Sequence, residues 1–342
     1  MTRLALRRGT VVSISPEGDE RRTALEVEVA GERRPAVSYG RMTGAIELGD
    51  EVIVNVAARD LGLGSGGFDI VHVNLTRGLD GEGEPGAHVM KLNYSSLQHA
   101  IEPLEERAPA LAGGLDRPVA VIALHGQLAC VAWAASRSEP GARIGYVQTA
   151  GGSLQGQQSR TVRRLLDAGL LAGHVAAAPA FDADDEAITV TGGLHAGLTA
   201  LGWDACIAGP GPGILGSATE LGHGGLAALD SAHAALALGC RTVIVPRMSS
   251  ADPRPRHRGL SHHTRVVLDL LLRPVAVALA PGEQPDLPRG HERREGEADV
   301  EGYRSAGLPL RTMGRSIDED ELFFRAALAG GSVLGREIDG RV

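Results

Sequence analysis

The chain has 342 residues, with 43% hydrophobic and 22% charged side chains and a formal net charge of −8. That length supports two domains, each burying its own core, and the composition is that of a globular rather than a disordered chain. The acidic balance speaks against general nucleic-acid binding, which needs a basic face to displace counterions, and 3% aromatics leave little for a base-stacking surface.

The opening segment MTRLALRRGTVV holds no apolar core of signal-peptide length. The longest apolar stretches are broken at His125-Gly126-Gln127 and Arg273-Pro274, short of the ~20 residues of a membrane span. A cytoplasmic protein with no membrane partner is expected. Cys130, Cys206 and Cys240 are odd in number, far apart and set in apolar surroundings, so they read as reduced packing residues. Lys91 is the one lysine among 34 basic residues, a bias that reads as GC-rich coding before any functional meaning.

Residues 1–76 read as five short strands, Val11–Ile14, Leu25–Val29, Ala36–Tyr39, Glu51–Val56 and Ile70–Val73, with turns at Glu17-Gly18-Asp19, Gly31-Glu32 and Leu48-Gly49-Asp50. The run Gly62–Gly67 reads as a hairpin loop. Five strands with no room for a long helix predict a small all-β barrel of the OB or SH3-like kind.

From residue 88 to 342 the texture is that of a Rossmann-like α/β domain. His88–Ala100 reads as helical. Six apolar strands follow, Val119–Leu124, Ile144–Gln148, His174–Ala178, Ala205–Ala208, Thr242–Val245 and Val275–Leu279. Helices are expected near Leu128–Ala135, Gln158–Leu170, Leu194–Leu201, Leu226–Leu238 and His262–Leu272. Strands apolar on both faces and alternating with helices predict a doubly wound parallel sheet. Residues 281–302 read as a long polar loop and Asp318–Ala329 as a final amphipathic helix. No internal repeat is visible.

In open α/β sheets ligands bind at the carboxyl ends of the strands, so the residues following each strand are the place to look. They are His125-Gly126, then Thr149 to Ser153, then Gly209–Gly216 with His223-Gly224-Gly225, then Arg247 to His263. Gly211-x-Gly213-x-x-Gly216 formally matches a dinucleotide fingerprint, but it follows a late strand, carries two prolines, and no helix opens within it. No cofactor is assigned. The loop reads either as a glycine-rich turn packed on a neighbour or as amides approaching an anion.

The sharpest feature is residues 252–264. Arg254, Arg256 and Arg258 alternate along a proline-spaced loop opposed by Asp252, and Ser261 is placed to cap a helix opened by His262, His263 and Thr264. Guanidinium forks match carboxylate and phosphate oxygens; a solvated loop or a subunit contact is the bland alternative. Histidines 125, 223, 257, 262 and 263 with Asp252 suggest a metal. That idea is set aside because no His-x-x-x-His spacing occurs and adjacent helical residues point ~100° apart. His195 and His233 read as helix-surface or packing residues. No Gly-x-Ser-x-Gly elbow surrounds Ser65 or Ser153.

Gly209-Pro-Gly-Pro-Gly-Ile-Leu-Gly216 and Ser249-Ser-Ala-Asp-Pro-Arg-Pro-Arg-His-Arg-Gly-Leu-Ser-His-His-Thr264 together resemble signatures of a bacterial family, domain of unknown function 3866. The resemblance implies a bacterial cytosolic protein and carries over no activity and no catalytic residue.

The lead expectation is an enzyme or sensor for a small anionic metabolite, a phosphorylated one first. Arg247, Arg254, Arg256 and Arg258 hold the anion with Asp252, Ser153, Ser261 and His263 nearby. Gly211, Gly213 and Gly216 supply amides, and His125, His257 or His262 is the candidate for proton transfer. The rival is a non-catalytic scaffold, with the barrel docking a partner and the arginine loop joining subunits of a homo-oligomer.

Overall fold

The computed structural model describes residues 3–16, 21–63, 66–111, 114–288 and 290–340. The turn expected at Glu17-Gly18-Asp19 and the position of Ser65 lie outside these. The chain divides into two compact units, Met1–Pro85 and Gly86–Val342.

The first unit is a closed barrel of β1 (Leu6–Ile14), β2 (Thr23–Val29), β3 (Glu32–Ser38), β4 (Glu51–Asn55) and β5 (Asp69–Asn74) in the order β1-β2-β3-β5-β4. The β3–β5 pair is parallel and β1 closes on β4. That is the arrangement of an OB-type Greek-key barrel. Valines 11, 27, 52, 54 and 71 alternate inward to make its core. Its helices, Gly40–Thr43 and Ala57–Asp60, are one turn each.

The second unit opens with a correction. The helix expected over His88–Ala100 is a hairpin, Val89–Lys91 with His99–Ile101. Two facts override the helical pattern. Leu92 and Tyr94 take φ of 51° and 60°, which no helix allows. Lys91 is buried and donates to the carbonyls of Ala176 and Ala180 and to Glu186, so the sheet holds this segment.

The main sheet has eight parallel strands: β6 (Pro118–Ile122), β7 (Ile144–Thr149), β8 (Gly173–Ala177), β9 (Asp185–Ala187), β10 (Ala205–Pro210), β11 (Arg241–Val245), β12 (Ala276–Leu279) and β13 (Glu292–Glu295). Their order is β9-β8-β7-β10-β6-β11-β12-β13. Alternate residues of β6 feed different cores, Val119 and Val121 on one face and Ala120 and Ile122 on the other. The first face is covered by α3 (Val190–Thr199), α4 (Ala227–Ala237) and α5 (His262–Leu270). The second is covered by α1 (Leu128–Ser138), α2 (Arg160–Asp167) and α6 (Glu321–Ile338). The three cysteines are free and buried.

Two further expectations change. Residues 281–302 are not one long loop, because Glu-Arg-Arg-Glu forms edge strand β13 against β12 and a short helix begins at Val300. An edge strand with polar faces has no apolar alternation to announce it; its backbone pairing decides. The final helix extends past Ala329 to Ile338. Its Gly330-Gly331 pair looks like a stop but is a contact: a Cβ on Gly331 would lie 2.3 Å from the Val131 carbonyl of α1. Gly331→Val is therefore expected to destabilise the fold by about 1–3 kcal/mol through overpacking, read as a lower urea midpoint with an unchanged m-value.

Candidate functional site

The strand order settles what the carboxyl edge looks like. β7, β10, β6 and β11 are consecutive neighbours, so the segments after them emerge side by side at the point where the chain reverses its direction of winding. Glycine lets them touch. A Cβ on Gly152 would lie 2.1 Å from the Gly211 carbonyl, and one on Gly224 only 1.8 Å from that of Gly151. Ser153 N donates to Pro212 O and Leu215 N to Gly151 O, and Gly216 bridges to His223. Gly211 thus serves first as a packing residue, whereas Gly216 is exposed with room for a Cβ. Gly213 is exposed and takes φ 73°.

His125 follows β6 on this edge. Its Nδ1 lies 3.2 Å from the Pro210 carbonyl and its Nε2 2.7 Å from Ser159 Oγ, the N-cap of α2. Tyr146 of β7 donates to the carbonyls of Gly209 and Pro210 and stacks on His174, whose Nε2 meets Gln148 Oε1. Gln148 in turn donates to Ser153 O, so a buried polar chain holds the 149–154 turn. Burial pushes His125 down to about 4 and His174 down to about 3. A cavity of about 400 Å³ opens beside His125, walled by Gly211 to Ile214 and by Arg311 to Met313. A larger concavity, about 700 Å³, lies on the barrel, lined by Ile14, Arg21, Ser38, Arg41 and Ile46 among others. Among the described residues its lining carries arginines and hydroxyls and no histidine or carboxylate.

The arginine loop after β11 is built around Asp252, which is fully buried. Its carboxylate accepts from Arg247 at 3.0 Å, from the Arg254 side chain twice at 3.0 Å, from Arg254 N at 3.0 Å and from Arg315 at 3.3 Å. Burial alone would raise this carboxyl, but the Arg254 hydrogen bonds and the Arg247 charge outweigh it and hold it well below the carboxylate range. Asp320, at the N-terminus of α6, accepts from Ser249, Ser250 and Arg315 and fastens the same loop. Arg247 is itself buried, and loss of water pushes it down to about 10 against the pull of Asp252.

The four arginines named from the sequence therefore separate. Arg247 and Arg254 are committed to Asp252. Arg258 donates to the Asp252 backbone carbonyl and Arg256 to that of Ala218, and both side chains are exposed.

Ser261 caps α5, accepting from His263 N and lying 2.7 Å from His257 Nδ1. Around it four imidazoles cluster. His223 and His263 stack at 3.8 Å, His262 lies 4.4 Å from His263 and 5.3 Å from His223, and His257 lies 4.7 Å from His262 between ring centres. The separation expected of adjacent helical residues does not hold. His262 and His263 occupy the first turn, where the 216–225 loop folds over them and brings His223 to both. Burial, then neighbouring positive charge and imidazoles, pushes His257 to about 3, His263 to about 2, and lowers His223 and His262. His195 and His233 lie within α3 and α4 as expected. Arg315, Asp320, Ser159 and Tyr146 had no motif to announce them; only Tyr146, a rare aromatic within an apolar strand, left a signal.

A family model described as "Protein of unknown function (DUF3866)" matches residues 35–331. No curated protein and no solved structure matches the chain significantly.

Asp252→Ala is expected to cost about 3–5 kcal/mol, because it strands a buried guanidinium, seen as a lower denaturation midpoint. Stability is also expected to fall as pH drops below 6.5. His125 and His174 have folded pKa values below the unfolded one, so the unfolded chain takes up protons first. His174→Gln should flatten the profile between pH 6 and 4 by up to about 1.4 kcal/mol per pH unit; an unaltered slope would contradict the assignment.

Proposed function

From the chain's membership of the DUF3866 family, which brings no activity with it, we propose that the protein binds a small anionic ligand, a phosphorylated metabolite first, at the carboxyl edge of its sheet, as an enzyme or sensor. The supporting observation is uncompensated charge. Arg247, Arg254, Arg256, Arg258 and Arg315 converge there, and the carboxylates that receive their side chains among the described residues are Asp252 and Asp320. This cationic rim sits in a chain of net charge −8.

Roles divide by commitment. Arg247 and Arg315 set the field from beneath, and Arg254, exposed at the surface, is tied to Asp252. Arg256 and Arg258, exposed and held only through backbone carbonyls, reach the ligand. His125, held neutral beside Ser159 and the 400 Å³ cavity, is the candidate for proton transfer, with burial leaving it a weaker base than an ordinary histidine.

Thermal-shift and calorimetric titration with inorganic phosphate, sugar phosphates, nucleotides and dicarboxylates tests the reading. At least one class should raise the melting temperature in a concentration-dependent way. Arg256→Ala with Arg258→Ala should then weaken its binding by about tenfold or more, since a hydrogen bond to a charged group contributes about 1.5–3 kcal/mol. If no anion stabilises the protein, the reading fails and the scaffold alternative replaces it.

A further inference from the structure

We propose that His223, His262 and His263 bind one divalent transition-metal ion, zinc or a similar nitrogen-seeking ion, with a fourth position left open. One ring nitrogen from each of the three lies within 4.8 Å of the others. Both ring nitrogens of His223 and of His262 are buried, and beyond a loose backbone contact of each ring, at Glu220 and at Arg256 respectively, they have no hydrogen-bond partner. Buried polar atoms are almost always well paired, and two poorly satisfied imidazoles set edge to face are a concentrated exception. The donor set is all nitrogen, which suits zinc, cobalt or nickel rather than calcium or magnesium, ions that take oxygen.

The surroundings fit the same reading. Gly225 backs the cluster, where a Cβ would stand 3.0 Å from His223 Nδ1 and 3.3 Å from His263 Nδ1. Ser261 orients the neighbouring His257 through its Nδ1. Three nitrogens around tetrahedral zinc stand about 3.3 Å apart, so ring rotations that unstack His223 from His263 and draw the nitrogens together by up to about 1.5 Å complete the site. Arg247 donates to His263 Nδ1 at 3.1 Å. The ion replaces that contact, while the other arm of the guanidinium stays on Asp252.

Arg247, Arg254 and Arg256 place positive charge close by, so the open position takes an anion, hydroxide or an acidic ligand. That last point rests on the anion reading of the preceding subsection; the three-histidine site does not.

The test uses the full chain, stripped with a chelator and titrated with cobalt(II) in chloride buffer. One equivalent should bind with tetrahedral visible absorption, free of sulfur-to-cobalt charge transfer because the cysteines lie elsewhere in the core. Zinc should displace it and raise the melting temperature. His223→Gln and His262→Gln should each weaken cobalt binding by about a hundredfold or more, with wild-type circular dichroism. His195→Gln and His233→Gln, outside the cluster, should leave it unchanged. Failure of wild-type protein to bind cobalt, or binding indifferent to His223→Gln and His262→Gln, overturns the proposal. Phosphate titration of the metal-free protein is scored separately, so loss of the anion reading is distinguishable from loss of the metal site.

Discussion

The rim of this protein depends on one buried carboxylate. Asp252 is fully enclosed, and an enclosed charge is tolerated only when opposite charge and hydrogen bonds surround it. Three guanidiniums meet that need: Arg247 just after β11, Arg254 two residues beyond the carboxylate itself, and Arg315 from the hairpin of Arg311–Thr312 and Arg315–Ser316 that precedes α6. The carboxylate thereby ties the arginine loop to the sheet and to the C-terminal helix at once. Asp320 repeats the device, receiving Ser249 and Ser250 from the same loop. A loop so anchored presents Arg256 and Arg258 from a well-tied base, which lowers the ordering that the proposed anion binding would require.

Strand order does the rest. Because β6 lies between β10 and β11, and β7 lies beyond β10, the four carboxyl ends that carry polar and glycine residues are contiguous. Contiguity alone would leave gaps between loops. The backbone contacts at Gly151–Gly224 and Gly152–Gly211 close them, since neither pair can accommodate a Cβ. The 216–225 segment is thereby laid across the start of α5, which carries His223 to His262 and His263.

The electrostatic character of the edge follows from these placements. The histidines are held neutral by burial and by the arginines beside them, so they offer lone pairs rather than charge. The fixed positive charge resides on guanidiniums, which do not titrate near neutral pH. Neutral imidazoles offer lone pairs to a cation, whereas the guanidiniums beside them repel one, so the proposed metal would need an anionic co-ligand to offset that charge.

Much of this was legible in the sequence. Continuous apolar runs such as Val119–Leu124 state a strand buried on both faces, because only flanking helices make such a run soluble. Ser261 before two histidines states a capped helix start. The glycine, arginine and histidine segments that follow the strands are legible as loops of one sheet edge, because parallel strands all end on the same side. The sequence could not state where Glu-Arg-Arg-Glu pairs, since an edge strand with polar faces carries no periodic signal, nor that Lys91 is drawn into the sheet edge and turns an apparent helix into a hairpin. Nor could it place Arg315 against Asp252 or His223 against His263. Those meetings join residues 40 to 63 positions apart. Local propensity and periodicity speak for neighbours along the chain, whereas a charge pair or a shared site at such separation exists only once the strand order has brought its members together.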